Sequence, residues 1–181
     1  MTVNLTAPNL QRLFSGPLMA DELERRYLAG IAAVYRLEPT AFGPNLDPAA
    51  SIMAAIDLTL PVIDWDSPSR VDGITPDQQR ITVLSYSVTG DRTPLTWVPG
   101  ERQIGNPPER FGITSGHVTI VLTGNQTTAE RVATATARIR RHVDANRAHQ
   151  TVELLKWRDD TARRIRDAVK ARRALLDTLP V

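Results

Sequence analysis

The last third of the chain is a run of 55 residues, Asn125 to Leu179, that contains neither glycine nor proline. Gly124 precedes the run and Pro180 follows it. Because glycine and proline are the residues that most often end or interrupt a helix, such a run predicts helix, either as one piece or as a helical hairpin. This segment therefore constrains about a third of the architecture.

Positive charge is concentrated in the same run. From Arg131 to Arg173 there are 13 Lys and Arg against 5 Asp and Glu, a local net charge of +8 in a chain whose total is +2. This asymmetry is compatible with a polyanionic partner, or with a basic helix that packs on an acidic body of its own or of a second copy. It is also compatible with an ordinary solvated helix face, since the bias of 20 Arg over 2 Lys resembles GC-rich coding.

Size and composition exclude several classes of protein. A chain of 181 residues suits one domain, or a small domain with an extension. No apolar run approaches the roughly 20 residues of a membrane span, and no signal peptide is visible. The absence of cysteine excludes disulfides, Cys-ligated zinc and thiol catalysis. We expect a cytoplasmic protein that does not interact with membranes.

Capping signals predict two N-terminal helices. Asp21 has Glu24 three positions later, which is the spacing of a capping box, and the helix is predicted over about 21–37. Asp47 followed by Pro48 predicts a second helix over about 47–59. Residues 61–79 are crowded with Asp, Ser, Pro and Gly, and this composition predicts a connector.

Three β-branched, partly alternating segments predict strands over about 80–88, 94–98 and 117–123. The segment from Phe111 to Thr114 either extends the last strand or precedes it. Short strands without intervening helices favour a small antiparallel sheet of three or four strands. The predicted class is α+β: an α+β body over 1–124 and a basic helical segment over 125–181.

The helical segment carries two apolar stripes that do not align. The first contains Val132, Ala135, Ile139 and Val143, and the second contains Val152, Leu155, Ala162, Ile165, Val169 and Leu176. Nine positions separate Val143 from Val152, which at about 100° per residue predicts roughly opposed faces. Either the chain turns near residues 144–151, or one long helix contacts different partners with its two ends. The first stripe is expected to cover the sheet, and the second to form an interface with another copy or with a partner protein.

The sequence contains no motif that assigns a chemistry. It has no phosphate-binding loop, no dinucleotide fingerprint and no serine nucleophile elbow. The residues two positions before the two lysines are Leu154 and Ala168, which excludes the usual lysine form of a restriction-nuclease site. His149 and Glu153 have helical spacing for a metal, but no third ligand accompanies them. We predict no catalytic, cofactor-binding or metal-binding residue.

Two alternatives stay open beside a non-enzymatic role. The first is a protein that binds nucleic acid through the basic helix, with contacts from Arg138, Arg141, Arg163, Arg166, Lys170 and Arg173. The second is a small enzyme or ligand-binding domain that uses Asp64, Asp66 and His117. Asp64 and Asp66 flank Trp65 in a predicted loop, a pattern seen in sugar and cation sites.

Four segments carry a resemblance to a known group of proteins: ITVLSYSVTGDRTPLTWVPG, HVTIVLTG, ARIRRHVDAN and RIRDAVKARRALL. Over residues 80–178 the chain resembles a module of bacterial proteins associated with antiphage defence, in which a restriction-endonuclease-like or TIR domain follows. This chain ends at Val181, where such a domain would begin. The resemblance implies the non-catalytic module, as a fragment or as a separate subunit, and it transfers no catalytic residue. We therefore expect an interaction, sensing or assembly module of a bacterial multicomponent system, self-associating through its C-terminal helices.

Overall fold

In a computed structural model, which describes residues 3–100 and 107–178, the chain has the predicted α+β class. The predicted ranges 1–124 and 125–181 also include residues 1–2, 101–106 and 179–181, which lie outside the described residues. The helices are α1 (Met19–Tyr35), α2 (Pro48–Ile56) and α3 (Ala129–Asp177), and the strands are β1 (Val62–Ile63), β2 (Ser69–Ile74), β3 (Arg80–Thr89), β4 (Arg110–Thr114) and β5 (His117–Thr123). Short 3₁₀ helices occupy Pro39–Phe42, Thr93–Thr96 and Gly124–Thr127.

The glycine-free and proline-free run forms one helix and not a hairpin. α3 is continuous over 49 residues, a length of about 74 Å at 1.5 Å per residue. The structure therefore decides between the two alternatives that the composition left open.

The two N-terminal helices lie close to their predicted positions, but only one begins as predicted. The side chain of Asp47 accepts a hydrogen bond from the Ala50 backbone N–H at 2.9 Å, which confirms it as the cap of α2. α1 begins two residues before Asp21, at Met19, and its N-cap Leu18 makes no side-chain cap bond. The capping box predicted at Asp21 and Glu24 is wrong. Met19 is one of the buried residues of α1, so tertiary packing places the start of this helix earlier.

β3 is the central strand of an antiparallel sheet. It pairs with β1 and β2 along one edge and with β5 along the other, and β4 lies outside β5. The segment before β5 is thus a separate strand, joined to it by a hairpin turn at Gly116, whose φ is +100°.

Two strand predictions are corrected by the structure. The strand predicted over 94–98 is wrong, because Thr93–Thr96 is a 3₁₀ helix. The side chain of Asp91 accepts hydrogen bonds from the N–H and hydroxyl of Thr93, and Pro94 has no N–H to donate to a sheet. The predicted connector over 61–79 contains β1 and β2. β2 has no apolar alternation and has four exposed residues at its start, and its sequence therefore gave no strand signal. Its pairing with β3 identifies it as a strand.

The described residues fall into two compact units, and the division cuts across the predicted boundary at residue 124. Unit 1 contains residues 3–17, 59–100 and 107–149, and unit 2 contains residues 18–58 and 150–178. α3 contributes its first part to unit 1 and its second part to unit 2.

In unit 1, one face of the sheet packs against the first part of α3. Leu84, Ile120 and Leu122 of the sheet share a core with Val132, Ala135, Ile139 and Val143 of α3. This contact confirms that the first apolar stripe covers the sheet.

The N-terminal segment pairs with the two outer strands of the same sheet. Asn4 forms a parallel bridge to Ile74 at the end of β2, and Gln11 forms an antiparallel bridge to Ile113 in β4. A Cβ atom on Gly73 would lie 2.5 Å from the carbonyl oxygen of Val3, and one on Gly112 would lie 2.5 Å from that of Gln11. Both glycines are therefore needed for this close approach of the backbone.

In unit 2, α1 and α2 pack against the second part of α3. Val34, Ala49, Ile52, Ile165 and Val169 form its buried apolar cluster. A Cβ atom on Gly30 of α1 would lie 2.8 Å from the Ile56 Cδ1 atom and 3.1 Å from the Ile165 Cδ1 atom. A side chain at residue 30 would therefore have to displace the ends of the Ile56 and Ile165 side chains.

Candidate functional site on helix α3

Buried positions recur at one regular spacing along α3, and we call the side of the helix that they form its inner side. Buried and half-buried positions recur in steps of three, four and four residues, at Val132, Ala135, Ile139, Val143, Asn146, Gln150, Leu154, Trp157, Thr161, Ile165, Ala168, Arg172 and Leu176. An 11-residue repeat corresponds to about 3.67 residues per turn, close to the 3.6 of an α-helix, so the stripe drifts only slowly around a straight helix.

This spacing corrects the prediction of two opposed stripes. Leu154, and not Val152, continues the inner side after Val143, and the positions between them are held by the polar residues Asn146 and Gln150. An apolar-only pattern misses polar members of a buried stripe, and for that reason the two halves seemed out of phase. Val132, Val143, Leu154, Ile165 and Leu176, each 11 residues after the last, were the signal in the sequence.

The six residues predicted to form an interface divide into groups. Ile165 and Val169 are buried in the core of unit 2 at 0% and 8% exposure, so in this fold they are not available to a partner. Ala162 and Leu176 are half-buried. Val152 and Leu155 are 68% and 53% exposed. Of the predicted surface, only these two large apolar side chains face solvent, and we call the pair the outer apolar pair.

The six basic residues predicted to contact nucleic acid lie on the solvent side of α3, but five have partners within the chain. Arg138 binds Glu109 at 2.8 Å, Arg163 binds Asp160 at 2.6 Å and Lys170 lies 4.0 Å from Asp167. Arg166 donates to the carbonyl of Ala162 and Arg173 lies over the ring of Phe42. Arg141 has no partner among the described residues.

Arginines of unit 2 also hold the carbonyl groups at the ends of its helices. Arg158 binds the Asp57 carboxylate at 2.7 and 3.0 Å and the Leu58 carbonyl at 2.5 Å, just after α2. Arg26 donates to the carbonyls of Ile56 and Asp57, and Arg172 donates to that of Leu37 after α1. The last carbonyls of a helix lack partners within the helix, so these side chains satisfy them. Many of the arginines of α3 therefore have a structural role within the chain.

The loop that carries Asp64 and Asp66 is anchored to α3 through Trp65 and Asp66. The Trp65 Nε1 atom donates to Asp144 at 3.1 Å, and Arg140 approaches Asp66 at 3.4 Å. The Asp64 side chain accepts from the Asp66 backbone N–H, as in an Asx turn. His117 begins β5 and pairs with Ser87 of β3, and the Ser87 carbonyl accepts from the Asp64 backbone N–H on the other edge of β3, so one strand separates His117 from Asp64.

Within residues 3–100 and 107–178, no group of three His, Cys, Asp or Glu side chains could hold a metal ion. No helix in these ranges is both long and apolar enough to cross a membrane. Comparisons of the chain with protein-family models, curated proteins and solved structures gave no match.

Proposed function

We propose that the chain is a non-enzymatic interaction module that self-associates through the outer face of α3 around Val152 and Leu155. The observation that carries the proposal is the exposure of these two side chains, three residues apart on a helix whose inner side is already occupied. Two such positions form one heptad of a coiled-coil seam. Burying them against another helix is favourable, because apolar surface leaves water.

The short length of this seam limits the strength of association. A standard interface buries about 800 Å² per partner, more than one heptad supplies. We therefore expect weak, concentration-dependent pairing. Unit 2 also carries further exposed apolar side chains, at Leu18, Leu28, Tyr35 and Leu46, which are available to enlarge the contact.

Light scattering coupled to gel filtration tests the proposal. The wild-type mass is expected to rise above that of a monomer as the protein concentration increases. Leu155→Lys is expected to return the protein to a monomer, since a charge cannot be buried in the seam without a partner. Leu175→Lys is the matched control, because Leu175 lies on the same helix with the same 53% exposure.

A wild-type protein that stays monomeric at high micromolar concentration would overturn the proposal. An equal loss of association in both lysine variants would show that the outer apolar pair is not the contact. Circular dichroism of each variant establishes that the fold is retained.

The resemblance to antiphage-defence proteins supplies a setting for this module. We propose that it assembles a bacterial multicomponent system in which another chain or domain carries the catalytic activity. The test is the gene neighbourhood: a neighbouring or fused gene for a nuclease-like or TIR domain is expected. Neighbours that are unrelated to defence in several genomes would remove this part of the proposal.

A further inference from the structure

Two opposite charges lie on the outer face of α3, one on each side of the outer apolar pair. Arg141 and Asp159 are each nine positions from Gln150, which is buried on the inner side at 1% exposure. Nine positions at about 100° per residue make about two and a half turns, so both residues lie on the side of the helix opposite Gln150. Both are exposed, and neither has an ion-pair or hydrogen-bond partner among the described residues. Each is therefore available to an opposite charge from another chain.

The same face has small side chains at one end and large ones at the other. The outer stripe, as we call it, consists of Arg141, Ala145, Ala148, Val152, Leu155 and Asp159, at alternating steps of four and three. This alternation is the spacing of a coiled-coil seam. Ala148 is exposed and Ala145 is half-buried, whereas Val152 and Leu155 are 68% and 53% exposed. The two alanines therefore leave room for large side chains of a second helix.

We infer that two copies of the chain pair antiparallel along the outer stripe, so that Arg141 of each copy binds Asp159 of the other. The two-fold axis lies level with residue 150, from which both residues are equally distant. In such an isologous contact each pair of residues occurs twice, so the interface contains two ion pairs, one at each end. The inference rests on the proposed self-association and specifies its orientation and register.

The same register matches the sizes of the apolar side chains. Val152 and Ala148 are each two positions from residue 150, and Leu155 and Ala145 are each five positions from it. Each large side chain therefore faces an alanine of the second copy. Large residues opposite small ones interdigitate without voids or overlap. The charges and the side-chain sizes thus favour one register independently of each other.

Other arrangements of the two helices oppose like charges. A parallel pair in register places Arg141 against Arg141 and Asp159 against Asp159. An antiparallel pair whose axis lies one turn later brings Arg141 against Arg166. Like charges in contact disfavour both arrangements. Because exposed ion pairs add little affinity, we expect the charges to select the arrangement and the apolar contact to supply most of the binding energy.

Charge reversal tests the ion pairs, with sedimentation of the full chain at low salt as the measurement. Arg141→Asp replaces two attractive contacts by two repulsive ones, and we expect association to weaken about tenfold. Asp159→Arg is expected to weaken it to the same extent. The double variant restores opposite charges and is expected to associate within about threefold of the wild type. Arg131→Asp is the matched control, since Arg131 is exposed on the same helix outside the outer stripe.

The outcomes separate this inference from the proposed function. A wild type that associates while Arg141→Asp associates equally well would overturn the inference alone. A double variant that stays as weak as the single variants would also overturn it. A wild type that stays monomeric would overturn the proposed function and, with it, this inference. Circular dichroism of each variant establishes that the fold is retained.

A distance between spin labels measures the orientation without altering the outer stripe. The chain has no cysteine, so a single nitroxide can be attached to the variant Arg163→Cys. In the antiparallel pair the two labels are 26 positions apart along the helices, about 39 Å at 1.5 Å per residue. In a parallel pair in register they lie side by side on helices whose axes are about 10 Å apart. A distance near 40 Å is expected, and one of about 20 Å or less would overturn the inference.

Discussion

At the scale of single residues, a glycine and a set of arginines determine how the helices of unit 2 pack. Gly30 lies where a Cβ atom would meet side chains from α2 and α3, and Arg158 joins the end of α2 to α3. Neither role is visible from local sequence, because each depends on residues far away along the chain. A glycine inside a helical pattern usually lowers confidence in the helix, yet here it lies against the ends of two isoleucine side chains.

The first prediction concerns this close packing. Gly30→Val is expected to destabilise the protein by about 1–3 kcal/mol, since overpacking forces neighbours from their positions. Ala29→Val, at an exposed position one residue away, controls for the helix propensity of valine and should change stability by about 0.5 kcal/mol or less. Urea denaturation measures both. Similar midpoints for the two variants would contradict the packing role of Gly30.

The second prediction concerns Asp72 in β2. Hydrogen bonds from Arg70 and from the Thr82 hydroxyl lower the pKa of Asp72 below its ordinary value of 3.8. A lowered pKa in the folded state means that the carboxylate adds stability above the unfolded pKa and loses that contribution as the pH falls through the folded pKa. The difference in melting temperature between wild type and Asp72→Asn is therefore expected to be larger at pH 7 than well below pH 3.8.

Asp159→Asn is the control for this comparison, because Asp159 is exposed on α3 and has no hydrogen-bond partner among the described residues. Its effect on the melting temperature should be small at both pH values. A difference for Asp72→Asn that stays constant, or grows in acid, would show that its hydrogen bonds do not contribute as described.

At the scale of elements, the pairing of the N-terminal segment with the sheet depends on two glycines, Gly73 and Gly112. Leu5 donates to the carbonyl of Ile74, and Gln11 exchanges two backbone hydrogen bonds with Ile113. The sequence predicted neither contact, because residues 1–20 have no regular pattern and pairing between distant segments leaves no local signal.

The third prediction tests this segment. Gly112→Val is expected to displace it, since the new side chain would collide with the backbone at Gln11 and the Leu10 side chain. Hydrogen exchange should show faster exchange of the Gln11 and Ile113 amides while the amides of β3 and β5 remain protected. Ile113→Val is the control, placing the same side chain on the same strand at a position that already has a branched apolar side chain. Unchanged protection at Gln11 in Gly112→Val would contradict the close approach.

At the scale of the whole molecule, the charge asymmetry of the sequence disappears on folding. The described part of unit 2 has 11 Lys and Arg against 11 Asp and Glu, and that of unit 1 has 10 against 8. The basic helix is therefore divided between two units that are each nearly neutral. Together with the internal partners of five of the six basic residues, this balance gives the basic side chains of α3 a role within the chain itself.

The fourth prediction follows from this balance. Self-association through Val152 and Leu155 should change little between low and moderate salt, because it buries apolar surface. Binding to nucleic acid would instead weaken steeply over the same range, as phosphate contacts release counterions. Sedimentation at two salt concentrations measures self-association, and gel retardation of a DNA duplex at the same two concentrations measures binding to nucleic acid. Tight, salt-sensitive retardation would favour the alternative that uses Arg141 and its neighbours.

The sequence by itself determined the elements whose signals are local. The run without glycine or proline determined α3, the β-branched segments determined β3 and β5, and Asp47 with Pro48 determined the start of α2. Local patterns suffice there because backbone preference acts over a few residues. The contact between Gly30 and Ile165 was not predicted, since the two residues lie in α1 and α3, far apart along the chain.

The tertiary structure alone decided which side of α3 lies inside. Asn146, Gln150 and Thr161 are buried because distant segments cover them, and Val152 and Leu155 are exposed because none of the described segments does. Burial depends on contacts between residues far apart in the chain, and side-chain polarity only biases it. For the same reason the arginines of α3, which the sequence presents as one basic surface, serve largely as partners for carbonyls and carboxylates of the same chain.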